Sequence, residues 1–286
     1  MSDEKSLKYN EPWILQRADP YVYRHTDGSY YFTASVPAYD GIVLRRAGTL
    51  AELSGAEEVM VWKKHESGPM SYHIWAPEIH YLFGKWYIYF AGGEAEDIWK
   101  IRPYVLECSG DDPLTDEWVE LGKMKRAAED EFSFEAFSLD ATVFENKGEY
   151  YYVWAEKVGV GKMISNLYIA KMESGNQLKT VQILLTTPDY DWERKGFWVN
   201  EGPAVIHHDG KLFLTYSASE TGVDYCVGML SIDEDADILD PRLWKKERYP
   251  VLKTCEKLGI YGPGHNSFTV DEDGNDVMVY HARTEA

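Results

Sequence analysis

Short runs of aromatic and β-branched residues, each broken by a polar turn that ends in glycine, recur along the whole chain. The first is "DPYVYRHTDGSYYFTAS" from Asp19, in which YVY and YYFTAS flank Thr26-Asp27-Gly28-Ser29. Such a pattern is that of a β-hairpin. Four relatives follow: "APEIHYLFGKWYIYFAGG", "DATVFENKGEYYYVWAE", "EGPAVIHHDGKLFLTYSAS" and "HNSFTVDEDGNDVMVYHAR". The turn glycines are Gly28, Gly84, Gly148, Gly210 and Gly274, separated by 56, 64, 62 and 64 residues. About sixty residues accommodate a four-stranded antiparallel unit with its loops, the size of a propeller blade.

Between the hairpins lie third-strand runs, "GIVLRRA", "PYVLECS", "SNLYIAKM" and "YCVGMLSI", and short fourth ones such as "EVMVWKK". Helical periodicity is scarce and Gly and Pro punctuation is regular. The expected fold is therefore all-β: one domain over 1–286, a five-bladed β-propeller of four-stranded antiparallel blades around a central channel. A β-sandwich or β-helix fits less well, because the period is too regular for the first and too long for the second. After "VMVYHAR" only Thr284, Glu285 and Ala286 remain, so the last blade is expected with two strands. Either the N-terminal segment up to Ile14 donates a strand to it, or a C-terminal piece is missing.

In a propeller the first strand of every blade lines the channel, and equivalent positions meet around one axis. Counting nine residues back from each turn glycine gives Asp19, Trp75, Leu139, Glu201 and His265, with Asp140 one step later in the third repeat. An isolated Asp-Pro is a common turn opener. Three acids brought to one end of a partly desolvated channel repel each other, and such sites split carboxyl pKa values into an acid and a base. A pair so divided is the equipment of glycoside hydrolysis.

The bulk numbers narrow the partners. With 48 acidic against 29 basic residues the formal charge is −19, which repels polyanions, so nucleic acid is excluded as a partner. The 21 Tyr and 10 Trp supply flat faces for sugar rings, although most serve as strand filler. No 18-residue apolar run exists to span a membrane. "MSDEKSLKYNEPWILQ" lacks the apolar core of a secretory signal, so the expected location is cytoplasmic unless a signal has been cut off. Cys108, Cys226 and Cys255 form no CxxC and are expected as free thiols. "VGVGKM" lacks the rest of a phosphate loop, no HExxH or GxSxG occurs, and "DEDADILD" lacks the glycine and closing glutamate of an EF-hand.

The residues around the channel acids resemble glycoside hydrolase family 43, the five-bladed inverting arabinofuranosidases, arabinanases and xylosidases. "RADPYV", "HIWAPEIHYLFGKWYIYFAGG", "SLDATVF", "NEGPAV" and "GPGHNSFT" carry the likeness, which covers nearly the whole chain. The resemblance implies Asp19 as general base, Glu201 as general acid and Asp140 as the carboxylate that orients the acid and modulates its pKa. Inversion needs room for water, roughly 6.5 to 9.5 Å between acid and base. It also implies His265 beside a hydrated axial cation, often calcium, with no cofactor needed for the chemistry. Because imidazole is a poor direct calcium ligand, water must supply most oxygens; the alternative is a His bonded to Asp or Glu. Arg283 resembles an arginine that binds sugar hydroxyls, or else it pairs with the channel carboxylates. Trp75 forms a sugar-stacking wall, or packs between blades. Within the family, "RPYVLE", "SNLYIAKM", "YSASETGVDYCVGML" and "YGPGHNSFTV" look most like exo-acting α-L-arabinofuranosidases, whose substrates are arabinose-containing α-1,5-linked oligosaccharides or arabinan. A β-xylosidase, an endo-arabinanase and a non-catalytic sugar-binding propeller are the alternatives.

Overall fold

The structure is a computed structural model that describes residues 9, 11–159 and 161–286. It is an all-β propeller. The first sheet runs β1 (Ala18–Arg24), β2 (Tyr30–Ser35), β3 (Gly41–Ala47) and β4 (Val59–Lys63), and the second β5 (Tyr72–Leu82), β6 (Lys85–Glu94), β7 (Asp97–Cys108) and β8 (Val119–Lys123). The third holds β9 (Ser138–Asn146), β10 (Glu149–Gly159), β11 (Met163–Ser174), β12 (Gln177–Leu178) and β13 (Ile183–Thr186), the last two both pairing with β11. The fourth is β14 (Asn200–His208), β15 (Lys211–Ala218), β16 (Cys226–Asp233) and β17 (Lys245–Lys246). All these pairings are antiparallel.

These four sheets are full blades. A fifth four-stranded blade is not formed among the described residues: the last repeat is a two-stranded hairpin, β18 (Tyr261–Val270) and β19 (Asp276–Arg283), the two strands expected of it. Nor is an N-terminal strand added to it within the described residues, where 9 and 11–14 are irregular; 1–8 and 10 lie outside them. Trp13 and Ile14 instead pack against the cluster that holds Phe32, as do Val277 and Val279 of β19.

The hairpin turns follow from their sequences. Gly28, Gly84, Gly148, Gly210 and Gly274 all have positive φ. In three turns the preceding residue, Phe83, Lys147 or Asp209, does as well, the two-residue geometry that matches strand twist. Apolar side chains pack sheet against sheet, as where Tyr31, Ile42 and Trp62 of the first meet Ile79, Trp86 and Phe90 of the second. Helix is limited to four short 3₁₀ turns among the described residues, and none of it is long and apolar enough to cross a membrane.

The innermost strands carry a repeated irregularity. Each pairing of a first with a second strand shifts register near the head of the first, at Ala18/Tyr21, Trp75/Glu78, opposite Val153/Ala155, at Glu201/Ala204 and at Gly264/Ser267. At each shift one residue is left-handed: Asp19, Ala76, Asp140, Gly202 and His265, with φ of 54, 47, 53, 52 and 43°. A bulge of this kind re-aims a side chain out of the pleat. Four of the five residues are not glycine, so the heads of these strands store backbone strain of about 1 kcal/mol or more each.

Candidate active site

The bulges correct the count of nine. Asp19 and His265 lie nine residues before their glycines, whereas Ala76, Asp140 and Gly202 lie eight before theirs. Asp140 is thus the true equivalent of Asp19, and Glu201 stands one residue ahead of the equivalent position, which Gly202 occupies. There a side chain would be strained at φ 52° and its Cβ would sit 3.1 Å from Cγ of His265.

The strands bring Asp19, Asp140, Glu201 and His265 together. Nδ1 of His265 lies 3.1 Å from Oδ1 of Asp19 and 3.6 Å from Oδ2 of Asp140. Asp140 Oδ2 accepts the Gly202 N–H at 3.1 Å, tying the third blade to the backbone beside Glu201. Ser35 Oγ donates to Asp19 Oδ2 at 2.5 Å and accepts the Ala76 N–H at 2.8 Å, linking the first blade to the second. Tyr225 OH donates to Glu201 Oε1 at 2.8 Å and its ring stacks on His281, 5.8 Å away at 9°. His281 Nδ1 in turn accepts the Asp19 N–H at 3.0 Å.

These surroundings divide the acids. Burial pushes the Asp19 carboxyl up, but His265, His281 and the Ser35 hydroxyl outweigh it and hold the group well below the usual carboxylate range. Glu201 is pushed up to about 7, by burial first and by the charge of Asp19, against the opposing Tyr225 hydrogen bond and the Lys157 and His281 charges. Asp140 is also raised, by burial and by its neighbours Glu201 and Asp19. Near neutrality the site therefore combines an ionised Asp19 with a proton held on the Asp140 and Glu201 side, a pair that titrates as one unit.

Other expectations are placed as follows. Trp75 is half-buried: it packs with Ala91 and Ile101 of its own blade and Leu139 of the next, and its ring meets His73 at 4.3 Å and Tyr39 at 5.8 Å, so it packs between blades. Arg283 is exposed and donates to the Thr221 carbonyl at 3.0 Å, so the expected pairing with channel carboxylates is not formed. Direct calcium coordination does not fit the donor set. Nδ1 of His265 faces Asp19, and among the described residues no three His, Cys, Asp or Glu side chains gather into a metal-binding group. All three cysteines are free.

Several residues of the site escaped the sequence reading. Ser35, Tyr225 and His281 sit on second strands or in loops, where no motif flags them. Lys157, whose ammonium lies 3.8 Å from the Phe137 ring, is held low by burial and raised by Glu201. Deeper in the channel, buried Glu78 bonds His80 Nε2 at 2.9 Å, while Tyr21 OH reaches His80 Nδ1 at 3.3 Å. Burial raises the pKa of Glu78 despite His80.

A propeller whose inner strands converge an ionised carboxylate and a proton-bearing one defines a glycoside hydrolase site. The sequence matches glycosyl hydrolases family 43 over residues 9–286, and the chain belongs to that family. It is 50% identical over 279 residues to an extracellular exo-α-(1→5)-L-arabinofuranosidase of Streptomyces avermitilis, covering 97% of this chain and 57% of that protein. A protein of the same name from Streptomyces chartreusis is 49% identical over 276 residues, covering 96% and 82%. The crystal structure of an α-L-arabinofuranosidase from Lactobacillus brevis superposes with a TM-score of 0.89 at 51% identity, covering 96% of this chain and 86% of that one. The chain spans little more than half the length of the Streptomyces avermitilis relative, 57%.

Proposed function

We propose that this chain is an inverting, exo-acting α-L-arabinofuranosidase that releases terminal arabinofuranose from α-1,5-linked arabino-oligosaccharides or arabinan. The observation that carries the reading is the division of acidity at one end of the channel, Asp19 held ionised and Glu201 protonated up to about pH 7. The arabinofuranosidase names of relatives about half identical to this chain support the substrate.

In this reaction Asp19 takes a proton from water as the water oxygen bonds to the anomeric carbon. The bond from that carbon to the leaving oxygen breaks, and Glu201 gives that oxygen its proton. Asp140, itself raised and fixed by the Gly202 N–H, shares the proton of that side with Glu201 and orients the acid through the backbone beside it. Attack from the opposite face turns the α-linked sugar into β-arabinose. We read the β18–β19 hairpin as a fifth, two-stranded blade, since it alone supplies His265 and His281 to this site. An axial calcium ion enters the reading only as a hydrated ion near His265, and no step depends on it. Two relatives are named extracellular, which favours secretion over the cytoplasmic location expected from the N-terminal residues.

The test uses 4-nitrophenyl α-L-arabinofuranoside, the corresponding β-xyloside, and linear arabinotriose followed by early-time NMR. Arabinoside cleavage with β-arabinose appearing first is the expected result. Preference for the xyloside, or release of the α-anomer, would overturn it.

A further inference from the structure

His73 has an unusual environment. It lies on β5, left-handed at φ 49°, three residues before Ala76, whose N–H is tied through Ser35 to Asp19. Its ring touches a nest of aromatics: Trp75 at 4.3 Å and 32°, Tyr72 edge-on at 4.4 Å and Trp99 at 5.1 Å and 35°. Both ring nitrogens are buried and neither has a hydrogen-bond partner among the described residues; no other described side chain is deprived of two. Burial lowers its pKa, so the ring is neutral and offers one donor and one acceptor.

The group that covers it is conspicuous too. Trp99 stands on the β6–β7 hairpin and is 61% exposed. The tip of that hairpin is fastened, by the Ala95 N–H to Ser71 Oγ at 2.7 Å and the Gly68 N–H to the Glu96 carboxylate at 3.0 Å. The indole rests on His73 and lies 6.4 Å from the Trp75 ring, with most of its surface open. An exposed indole beside a sugar-cleaving site is a stacking surface in search of a ring. A buried donor and acceptor without partners leave a free-energy deficit that a ligand can remove.

We infer that His73 and Trp99 form the subsite for the second sugar of the substrate, the one left behind after cleavage. The Trp99 indole moves off His73 and stacks on the apolar face of that pentose. The imidazole then donates to one hydroxyl of the sugar and accepts from a neighbouring one. Trp75, packed against Leu139 next to Asp140, connects this subsite to the carboxylates. The inference rests on the arabinofuranosidase reading and adds to it the residues that recognise a chain of sugars over a single one.

The test compares His73→Phe and Trp99→Ala with the wild-type chain on two substrates. 4-Nitrophenyl α-L-arabinofuranoside has no second sugar, and arabinotriose has one. Both variants are expected to lose about tenfold or more in kcat/KM on arabinotriose and to stay within about twofold on the aryl glycoside. His73→Phe keeps the ring and removes the orphaned nitrogens, so its melting temperature is expected to match or exceed that of the wild type, which separates lost recognition from lost folding. Calorimetric titration with arabinotriose supplies a readout besides turnover, with binding weakened by a similar factor. Equal losses on both substrates, or unchanged arabinotriose binding, would overturn the inference. A wild-type chain inactive on the aryl arabinoside while calorimetry still shows His73-dependent arabinotriose binding would instead sink the arabinofuranosidase reading and leave the subsite standing.

Discussion

Replacing Glu201 with Gln should make the fold more stable at alkaline pH, at the expense of activity. The native carboxyl is raised from 4.5 to about 7. A carboxyl raised in this way binds its proton more tightly in the folded than in the unfolded chain. Its contribution to stability is complete below pH 4.5 and is lost as pH rises through about 7. Between pH 5 and pH 8 the loss amounts to roughly 2.5 kcal/mol, from the two pKa values and 1.36 kcal/mol per unit. Glutamine does not ionise, is close in size, and still offers an oxygen to the Tyr225 hydroxyl. The advantage of Glu201→Gln over wild type should therefore grow by about 2 to 3 kcal/mol over that interval. Urea unfolding at the two pH values, read by far-ultraviolet circular dichroism, measures it. A difference that does not change with pH, or that shrinks as pH rises, would refute the assignment of the shared proton to this end of the channel.

Tyr225→Phe keeps the ring on His281 but removes the O–H that favours ionised Glu201. Since the acid must carry its proton, the alkaline limb of kcat/KM should move up by about one pH unit, the equivalent of a roughly 1.5 kcal/mol charged hydrogen bond; an unmoved limb would assign it to another group. Ser35→Ala strips Asp19 of its hydroxyl donor and Ala76 of an acceptor, and kcat on the aryl arabinoside should fall about tenfold or more with the circular dichroism spectrum retained. A wild-type kcat would show that the link between the first two blades does not position Asp19. Away from the site, Lys246 Nζ lies 2.8 Å from fully buried Glu193, which also holds Asn200 next to Glu201. Lys246→Met leaves that charge without its cation and should cost about 3 kcal/mol in urea unfolding; a loss under about 1 kcal/mol would mean that Asn200, Tyr216 and the nearby N–H groups suffice.

The blade repeat and the catalytic candidates were legible because both depend on local rules. A glycine that must adopt positive φ marks each hairpin, and the alternation of strand residues makes equivalent positions countable from it. The count slipped by one at Asp140 and Glu201 because the hairpin loops differ in length, five residues in the first and last hairpins and two in the others, and nothing in the local sequence announces a left-handed Asp19, Asp140 or His265. The carboxylate pairing offered for Arg283 was not foreseeable as wrong from sequence because its partner, the Thr221 carbonyl, belongs to another blade. His281 meets Asp19 only after the ring has closed, so its role is a property of the assembled circle, while Tyr225 reaches Glu201 from a loop of the same blade that strand alternation does not mark. The orphaned nitrogens of His73 are likewise invisible in a sequence, which records what a side chain is and not what it lacks.

The left-handed residue at the head of each inner strand has a consequence for how such a site can change. Each bulge is an addressable socket that turns whatever side chain it carries toward a common point. In this chain two sockets carry aspartate and one histidine, while those of the second and fourth blades hold only a methyl group and a hydrogen, at Ala76 and Gly202. New chemistry can thus be introduced one socket at a time, with the strain already borne by the backbone and the remaining strands undisturbed. Gly202 is closed to such grafting, since a Cβ there would be crowded by the His265 ring.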